Sequence, residues 1–304
     1  VVSGGEPAIG GIERWGPHRA ADLTALASDA LGHERLTVDE LLACCWEDPG
    51  VVLGTAGDPV GAVAAVTRPG GDAAVGFVRF IAVHPGARRL GLARHLLDRA
   101  ESWLAEQGCA EVHLGGSAPF YLWPGVDVAA TAALCLFEAA GYEPTGAELD
   151  LSMATTFRRP PSEGVEVRRV LGEGDAAAVR ALVERQWPWW WPETARGIEG
   201  AGCLGAFVVE EQAPAGVMAV GFVCHSVNRA GWLGPMGTDP AHRRAGVGHA
   251  LLGAACRDLM AAGFRDVEIA WIGPIGFYAS AGASVSRVFR TARKRLVRPD
   301  RPAS

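Results

Sequence analysis

Arg88-Arg89-Leu90-Gly91-Leu92-Ala93 and Arg243-Arg244-Ala245-Gly246-Val247-Gly248 are the stretches on which the fold of this chain turns. In each, small residues stand where a segment read as a strand (77–83 or 232–238), followed by Pro85 or Pro240, gives way to apolar residues at helical spacing such as Leu92, Leu96, Leu97, Ala100 and Leu104. Small residues there let backbone N–H groups approach a ligand closely. The helix start adds about half a positive charge and the arginines add forked donors, so the guest that suits such a loop is a diphosphate.

The two loops belong to an internal repeat with an offset of 155 residues. That offset pairs Gly76 with Gly231, Arg88 with Arg243, Gly91 with Gly246, Leu96 with Leu251, Gly108 with Gly263 and Pro119 with Pro274. Each copy reads as strand, tight loop, helix and strand. The helices stop at Gly108 and Gly263, strands are predicted at 111–114 and 266–271, and a brief helix then ends at Gly141 or Gly282. Leading helices are predicted at 17–31 and 172–185. The run Arg158-Arg159-Pro160-Pro161-Ser162-Glu163-Gly164 is the composition break at the midpoint and reads as a linker. The predicted fold class is therefore α/β, an α+β mixed sheet in each of two tandem domains, residues 11–157 and 165–297, with 158–164 between them. The ends, 1–10 and 298–304, read as loose.

Composition bounds the partners. At 304 residues and 49% hydrophobic, the chain has the length and apolar content for two cores. A net charge of −6, from 34 acidic and 28 basic residues, points away from nucleic acid and anionic membrane and suits a cationic substrate. The seven cysteines form no Cys-x-x-Cys pair and are odd in number, which argues against a disulfide framework and against a zinc site, so no metal is expected. With no signal-like start and no uninterrupted apolar run of about 18 residues, the expected location is the cytoplasm.

In these loops both halves resemble the GCN5-related N-acetyltransferase (GNAT) superfamily, whose signature Arg/Gln-x-x-Gly-x-Gly/Ala opens the central helix. The resemblance covers most of the chain and implies acetyl-CoA, or another acyl-CoA, as the cofactor. Its pyrophosphate would lie on Arg88, Arg89, Leu90, Gly91, Leu92 and Ala93 in one half and on Arg243, Arg244, Ala245, Gly246, Val247 and Gly248 in the other. The pantetheine would run alongside the strands that end in Val83 and Thr238, and an acceptor amine would enter a splayed gap between that strand and the next.

The copies part company where the family usually places a tyrosine, four residues before the glycine that ends its last helix. The second half has Tyr278 there; the first has Phe137, which has no proton to give. Pairing Tyr278 with Phe137 needs an offset of 141 rather than 155, so the first copy holds 14 extra residues, within 118–133. Tyr278 is read as the general acid that protonates the departing thiolate, with a packing aromatic as the alternative. The first half is left as a silent acyl-CoA binder, a scaffold, or an enzyme that borrows Tyr121. Glu268, equivalent to His113 by the 155 offset, is the candidate base, against a solvated strand residue or a water chain as alternatives. His84 and Asp239 read as loop-surface residues.

Gln186-Trp187-Pro188-Trp189-Trp190-Trp191-Pro192 is the most unusual segment, and its prolines argue against a regular helix. Trp187, Trp189, Trp190 and Trp191 are candidates for the wall of the acceptor pocket, where indoles could stack on a cationic amine, or for an interface between the halves. Trp232 and Trp271 read as core. The functional expectation is an acyl-CoA-dependent N-acetyltransferase acting on a primary amine of a small molecule, as monomer or homodimer. Its rival is a non-catalytic acyl-CoA-binding or sensing protein.

Overall fold

The computed structural model describes residues 11–47, 49–200, 202–209 and 216–296; the ends read as loose lie outside these. The first repeat runs β1 (Ile12–Arg14), α1 (Ala20–Ala30), α2 (Val38–Cys45), β2 (Gly50–Thr55), β3 (Gly61–Arg68), β4 (Val75–Val83), α3 (Leu92–Glu106), β5 (Glu111–Leu114), β6 (Val126–Asp127), α4 (Thr131–Ala139) and β7 (Glu143–Ala154). The second runs β8 (Glu166–Arg169), α5 (Gly172–Gln186), α6 (Trp191–Glu199), β9 (Cys203–Val209), β10 (Val217–His225), β11 (Trp232–Thr238), α7 (Val247–Ala261), β12 (Asp266–Ile269), α8 (Ile275–Ala279) and β13 (Ser284–Arg295). The fold is mixed α/β with two copies of one unit.

The chain divides into two compact units. Unit 1 is Val1–Ser117, Tyr121–Ala147 and Phe289–Ser304; unit 2 is Ala118–Phe120 and Glu148–Val288. In unit 1 the strands run β1-β2-β3-β4-β5, antiparallel except for the parallel β4–β5 pair, and β5 then pairs with the last turn-free stretch of β13, Arg293 opposite His113. In unit 2 they run β8-β9-β10-β11-β12, again with one parallel pair, β11–β12, and β12 then pairs with β7, Glu268 opposite Ser152. Each unit thus takes its outer strand from the other repeat.

The central helices are held down by the same device. Leu96, Leu97, Ala100 and Leu104 of α3, and Leu251, Leu252, Ala255 and Leu259 of α7, are fully buried against their sheets. Each such leucine stabilises by about 1.5–3 kcal/mol. A Cβ on Gly61 would meet Leu92 at 2.8 Å, and one on Gly221 would meet Leu251 at 2.9 Å, so bare glycine in the facing strand lets each helix sit close.

Two local expectations are corrected. The strand predicted at 266–271 stops at Ile269, and Trp271 takes a left-handed φ of 50° in the turn that follows, 37% exposed rather than core. The Trp-rich segment is helical after all: Pro188–Trp190 is a 3-10 turn and Trp191 opens α6. Pro192 falls in the first turn, where its missing N–H would have had no intrahelical partner in any case. All seven cysteines are free and six are buried, Cys135 being exposed. No helix among the described residues is long and apolar enough to cross a membrane.

Candidate active site

Both Arg/Gly loops adopt one geometry. Arg89 and Arg244 take left-handed φ values of 65° and 63°, and Gly91 and Gly246 follow at 82° and 79° as the N-caps of α3 and α7. Non-glycine residues at positive φ are uncommon, and holding one at the same place in both copies curls the chain so that its N–H groups turn inward. Neither cap is closed by a side chain, which leaves the first amides of each helix open to a ligand. Leu92 and Val247 bury their side chains in the core, 3% and 1% exposed, so their backbone is what they offer, while Leu90 is exposed.

The arginines differ between copies. Arg88 turns back into its own unit, its Nε donating to the Val83 carbonyl at 3.1 Å and its Nη2 to the Ala30 carbonyl at 2.9 Å. Val83 itself is buried in the unit 1 core. Arg243 and Arg244 instead line a cleft of about 580 Å³ in unit 2. Around that cleft stand Thr238 at the end of β11, the loop residues Gly246, Val247 and Gly248, Trp187 and Trp190, and Tyr278. Its cationic end is the loop, with His242 and His249 beside it; its other walls are aromatic and apolar, with Met236 and Phe277 added. A Cβ on Gly248 would meet the Phe277 ring at 3.0 Å, so glycine brings that ring against the loop.

Tyr278 is 8% exposed, and its hydroxyl lies 3.9 Å from the Met236 sulfur. Burial pushes its phenol up to about 12, so it keeps its proton through the ordinary pH range. Phe277 meets it edge-on at 4.8 Å and stacks against His249 at 4.5 Å. Sequence reasoning passed over Met236, Phe277 and His249. His249 alone carried a signal, two residues inside the helix that the loop opens.

Of the four tryptophans, two wall the cleft. Trp187 and Trp190 pack on each other at 5.5 Å and on Phe222, and a Cβ on Gly237 would meet Trp187 at 2.5 Å, so bare glycine in β11 makes room for the indole. Trp189 is 56% exposed, and Trp191 sits beneath the Arg180 guanidinium at 5.0 Å.

Two stretches of the chain, residues 20–121 and 176–282, match the family model described as the acetyltransferase (GNAT) family, one in each repeat. The chain belongs to the acetyltransferase (GNAT) family. Comparison with curated proteins finds no match. Among solved structures the fold is similar to the GCN5-related glucosamine N-acetyltransferase region of a fungal multi-domain GH3 β-N-acetylglucosaminidase, with a TM-score of 0.75 at 18% identity over 95% of this chain; the chain spans 38% of that protein. It is similar to a GCN5-related N-acetyltransferase from Sphaerobacter thermophilus, with a TM-score of 0.65 at 21% identity, covering 96% of this chain and 97% of that one. A tandem GNAT protein from the clavulanic acid biosynthesis pathway, without AcCoA, gives a TM-score of 0.70 at 15% identity, covering 95% and 99%. At these identities the likeness is one of fold.

In unit 2, β11 and β12 pair only at Trp232↔Glu268 and Leu233↔Ile269 before they separate. Glu268 therefore stands one residue from the gap. Its neighbours Val267 and Ile269 point to α7, so Glu268 faces the other side of the sheet. There it meets Asp150 of β7, which is fully buried, and Arg287 of β13 at 3.9 Å.

In unit 1 the same region is filled. Residues 121–130 pack Leu122 into the interior and lay Trp123 over Phe80 at 6.4 Å, its indole N–H donating to Glu34 at 3.0 Å. Arg79 of β4, 3% exposed, donates to Ser117 Oγ and to the Ser117 carbonyl, both at 2.7 Å, to the Cys44 carbonyl at 2.9 Å and to Glu47 at 2.6 Å. Phe137 packs edge-on to Tyr142 at 5.3 Å. His113 pairs with Glu111 at 2.8 Å, and His84 accepts from Gly86 N–H at 3.1 Å. Asp239 of unit 2 likewise accepts from Ala241 N–H at 2.9 Å and binds Arg185.

Proposed function

We propose that unit 2 transfers an acyl group from acetyl-CoA, or a related acyl-CoA, to a primary amine of a small molecule, by direct attack of the amine on the thioester. The observation that carries the reading is that one cleft gathers the loop arginines, the open N-terminus of α7 and the Tyr278 phenol. These residues fit the donor: an anion cradle at one end, an uncommitted proton at the other, and apolar walls between.

The thioester supplies an activated acyl carbon and a thiolate leaving group that is already fairly good. The chain's part is to hold the donor by its pyrophosphate on Arg243, Arg244 and the α7 amides, to exclude water with Trp187, Trp190 and Phe277, and to manage two protons. One leaves the amine nitrogen as the C–N bond forms, and Glu268 is the group we assign to take it. The other passes from Tyr278 to sulfur as the C–S bond breaks, and solvent then restores the phenol. Backbone N–H groups of β11 at the gap support the oxyanion. The indoles of Trp187 and Trp190 suit an amine that arrives as a cation.

Unit 1 we read as non-catalytic. Phe137 stands where the acid would be, and the Arg79 and Trp123 contacts fill the side on which an acceptor would enter.

The test is thiol release from acetyl-CoA with spermidine, kanamycin, benzylamine and a short peptide as acceptors. Amine-dependent release supports the enzyme. Tight acetyl-CoA binding with no release on the whole panel would move the reading to an acyl-CoA sensor.

A further inference from the structure

Among the described residues, Asp150 is the one carboxyl of unit 2 with no exposure at all. One of its oxygens, Oδ1, accepts from the Trp271 N–H at 2.8 Å. Its other oxygen and Glu268 Oε1 are both buried with no donor to satisfy either. The two side chains face each other across the β7–β12 pair. Asp150 is fully buried while the Glu268 side chain is 29% exposed and turns one buried oxygen to it; two carboxylates in such contact repel, whereas one proton held between them satisfies both buried oxygens at once. Arg287 of β13 is the cation that faces the pair, at 3.9 Å from Glu268, and it balances one negative charge. The Ser286 hydroxyl is engaged with the Asp150 main-chain carbonyl at 3.2 Å, which leaves the carboxyl to Glu268 and Trp271.

The second contact of Asp150 matters for the same chemistry. Trp271 is the second residue of the turn 270–274 that leads directly into α8, the helix that carries Tyr278. That turn is held at its start by Asp150 and by the Ile272 N–H donating to the Leu149 carbonyl at 3.1 Å. A single carboxyl therefore touches the proposed base and anchors the backbone that presents the proposed acid.

We propose that Asp150 is a positioning residue for the transfer: it shares one proton with Glu268, so that the pair takes up and releases that proton as a unit, and it fixes the turn that places Tyr278. The inference rests on the catalytic reading of unit 2. As the amine loses its proton, the dianionic pair gains it and becomes the singly charged, hydrogen-bonded pair; release to solvent restores the dianion, and no redox or bond change occurs within the pair. Burial pushes the Asp150 carboxyl up, the Trp271 N–H pulls it down and the Glu268 carboxylate pushes it up again, leaving it at about 8, within reach of an ammonium group.

The experiment is a carboxyl-carbon NMR titration of the whole chain labelled at Asp and Glu, for the unaltered protein, Asp150→Asn and Glu268→Gln. The expected result is a step near pH 8 that Asp150→Asn abolishes and Glu268→Gln moves to lower pH. A step that Asp150→Asn leaves in place or that Glu268→Gln does not move, or its absence from the unaltered protein, overturns the shared proton. Amide exchange at Trp271 tests the second half: Asp150→Asn, which keeps an acceptor oxygen, should protect that N–H, and Asp150→Ala should speed its exchange at least tenfold. Equal exchange in the two overturns the anchoring role. Should Asp150→Ala fail to fold, Asp150→Ser, with a shorter side chain, replaces it in the exchange measurement. None of these readouts needs an acceptor, so a failed turnover assay removes the catalytic reading without touching them. With an acceptor in hand, Asp150→Asn should lose the acidic limb of the kcat/KM profile, the rise in rate with pH that the unaltered pair gives near pH 8.

Discussion

The Tyr278 hydroxyl reaches the Met236 sulfur, at 3.9 Å, inside the aromatic wall of the unit 2 cleft. A thioether is a weak acceptor, so this contact places the phenol without committing its proton to a strong partner. At the corresponding point of the first repeat, Phe137 meets the edge of Tyr142 and offers no proton.

Tyr278→Phe removes one oxygen and leaves the ring packing with Phe277 intact. Turnover in the thiol-release assay should fall by about 10²–10⁴-fold. Acetyl-CoA affinity, measured by calorimetry, should hold within about threefold, since a lost hydroxyl contact to an uncharged partner is a small effect. An unchanged turnover would remove the acid role.

The same substitution should leave a mark on alkaline stability. The folded phenol sits at about 12 against an ordinary value near 10, so the folded state holds that proton more tightly. Stability linked to it is fully present below about pH 10 and is lost as pH rises towards about 12, on the order of 2–3 kcal/mol across that window. Melting profiles of the unaltered protein should fall more steeply over that range than those of Tyr278→Phe. Parallel profiles would contradict the burial of a neutral phenol.

The loop arginines should separate by copy. Replacing Arg243 and Arg244 together by Ala should weaken acetyl-CoA binding by about 10–100-fold, the loss of charge-assisted contacts to a diphosphate. Arg88→Ala should act on stability instead, because its guanidinium already serves the Val83 and Ala30 carbonyls. Calorimetry and melting of the two variants side by side would show the crossover, and equal loss of affinity in both would deny it.

Arg79→Ala breaks a buried ion pair and three further hydrogen bonds in unit 1. Glu47 keeps Arg68 as its partner at 2.7 Å, so the cost in denaturant unfolding should be about 1–3 kcal/mol, that of leaving buried acceptors unsatisfied. Turnover per folded molecule should stay within about twofold, since the chemistry is assigned to unit 2. A loss of turnover in folded Arg79→Ala would place unit 1 in the reaction.

What the sequence determined by itself is what lies in short, ordered patterns. The repeat, the two loops with their glycine caps, the central helices and the Tyr278/Phe137 contrast are all carried by residues a few positions apart, where local sterics and helical periodicity act. The tertiary structure decided what depends on residues far apart in the chain. It set Asp150 against the Trp271 amide, 121 residues away, and beside Glu268. It turned Arg88 inward while Arg243 and Arg244 line a cleft, and it chose Trp187 and Trp190 over Trp189 as walls. It also drew the outer strand of each unit from the other repeat. A side chain's direction and partner follow from packing and from the need to satisfy buried polar groups, and those are settled only when the distant strands meet.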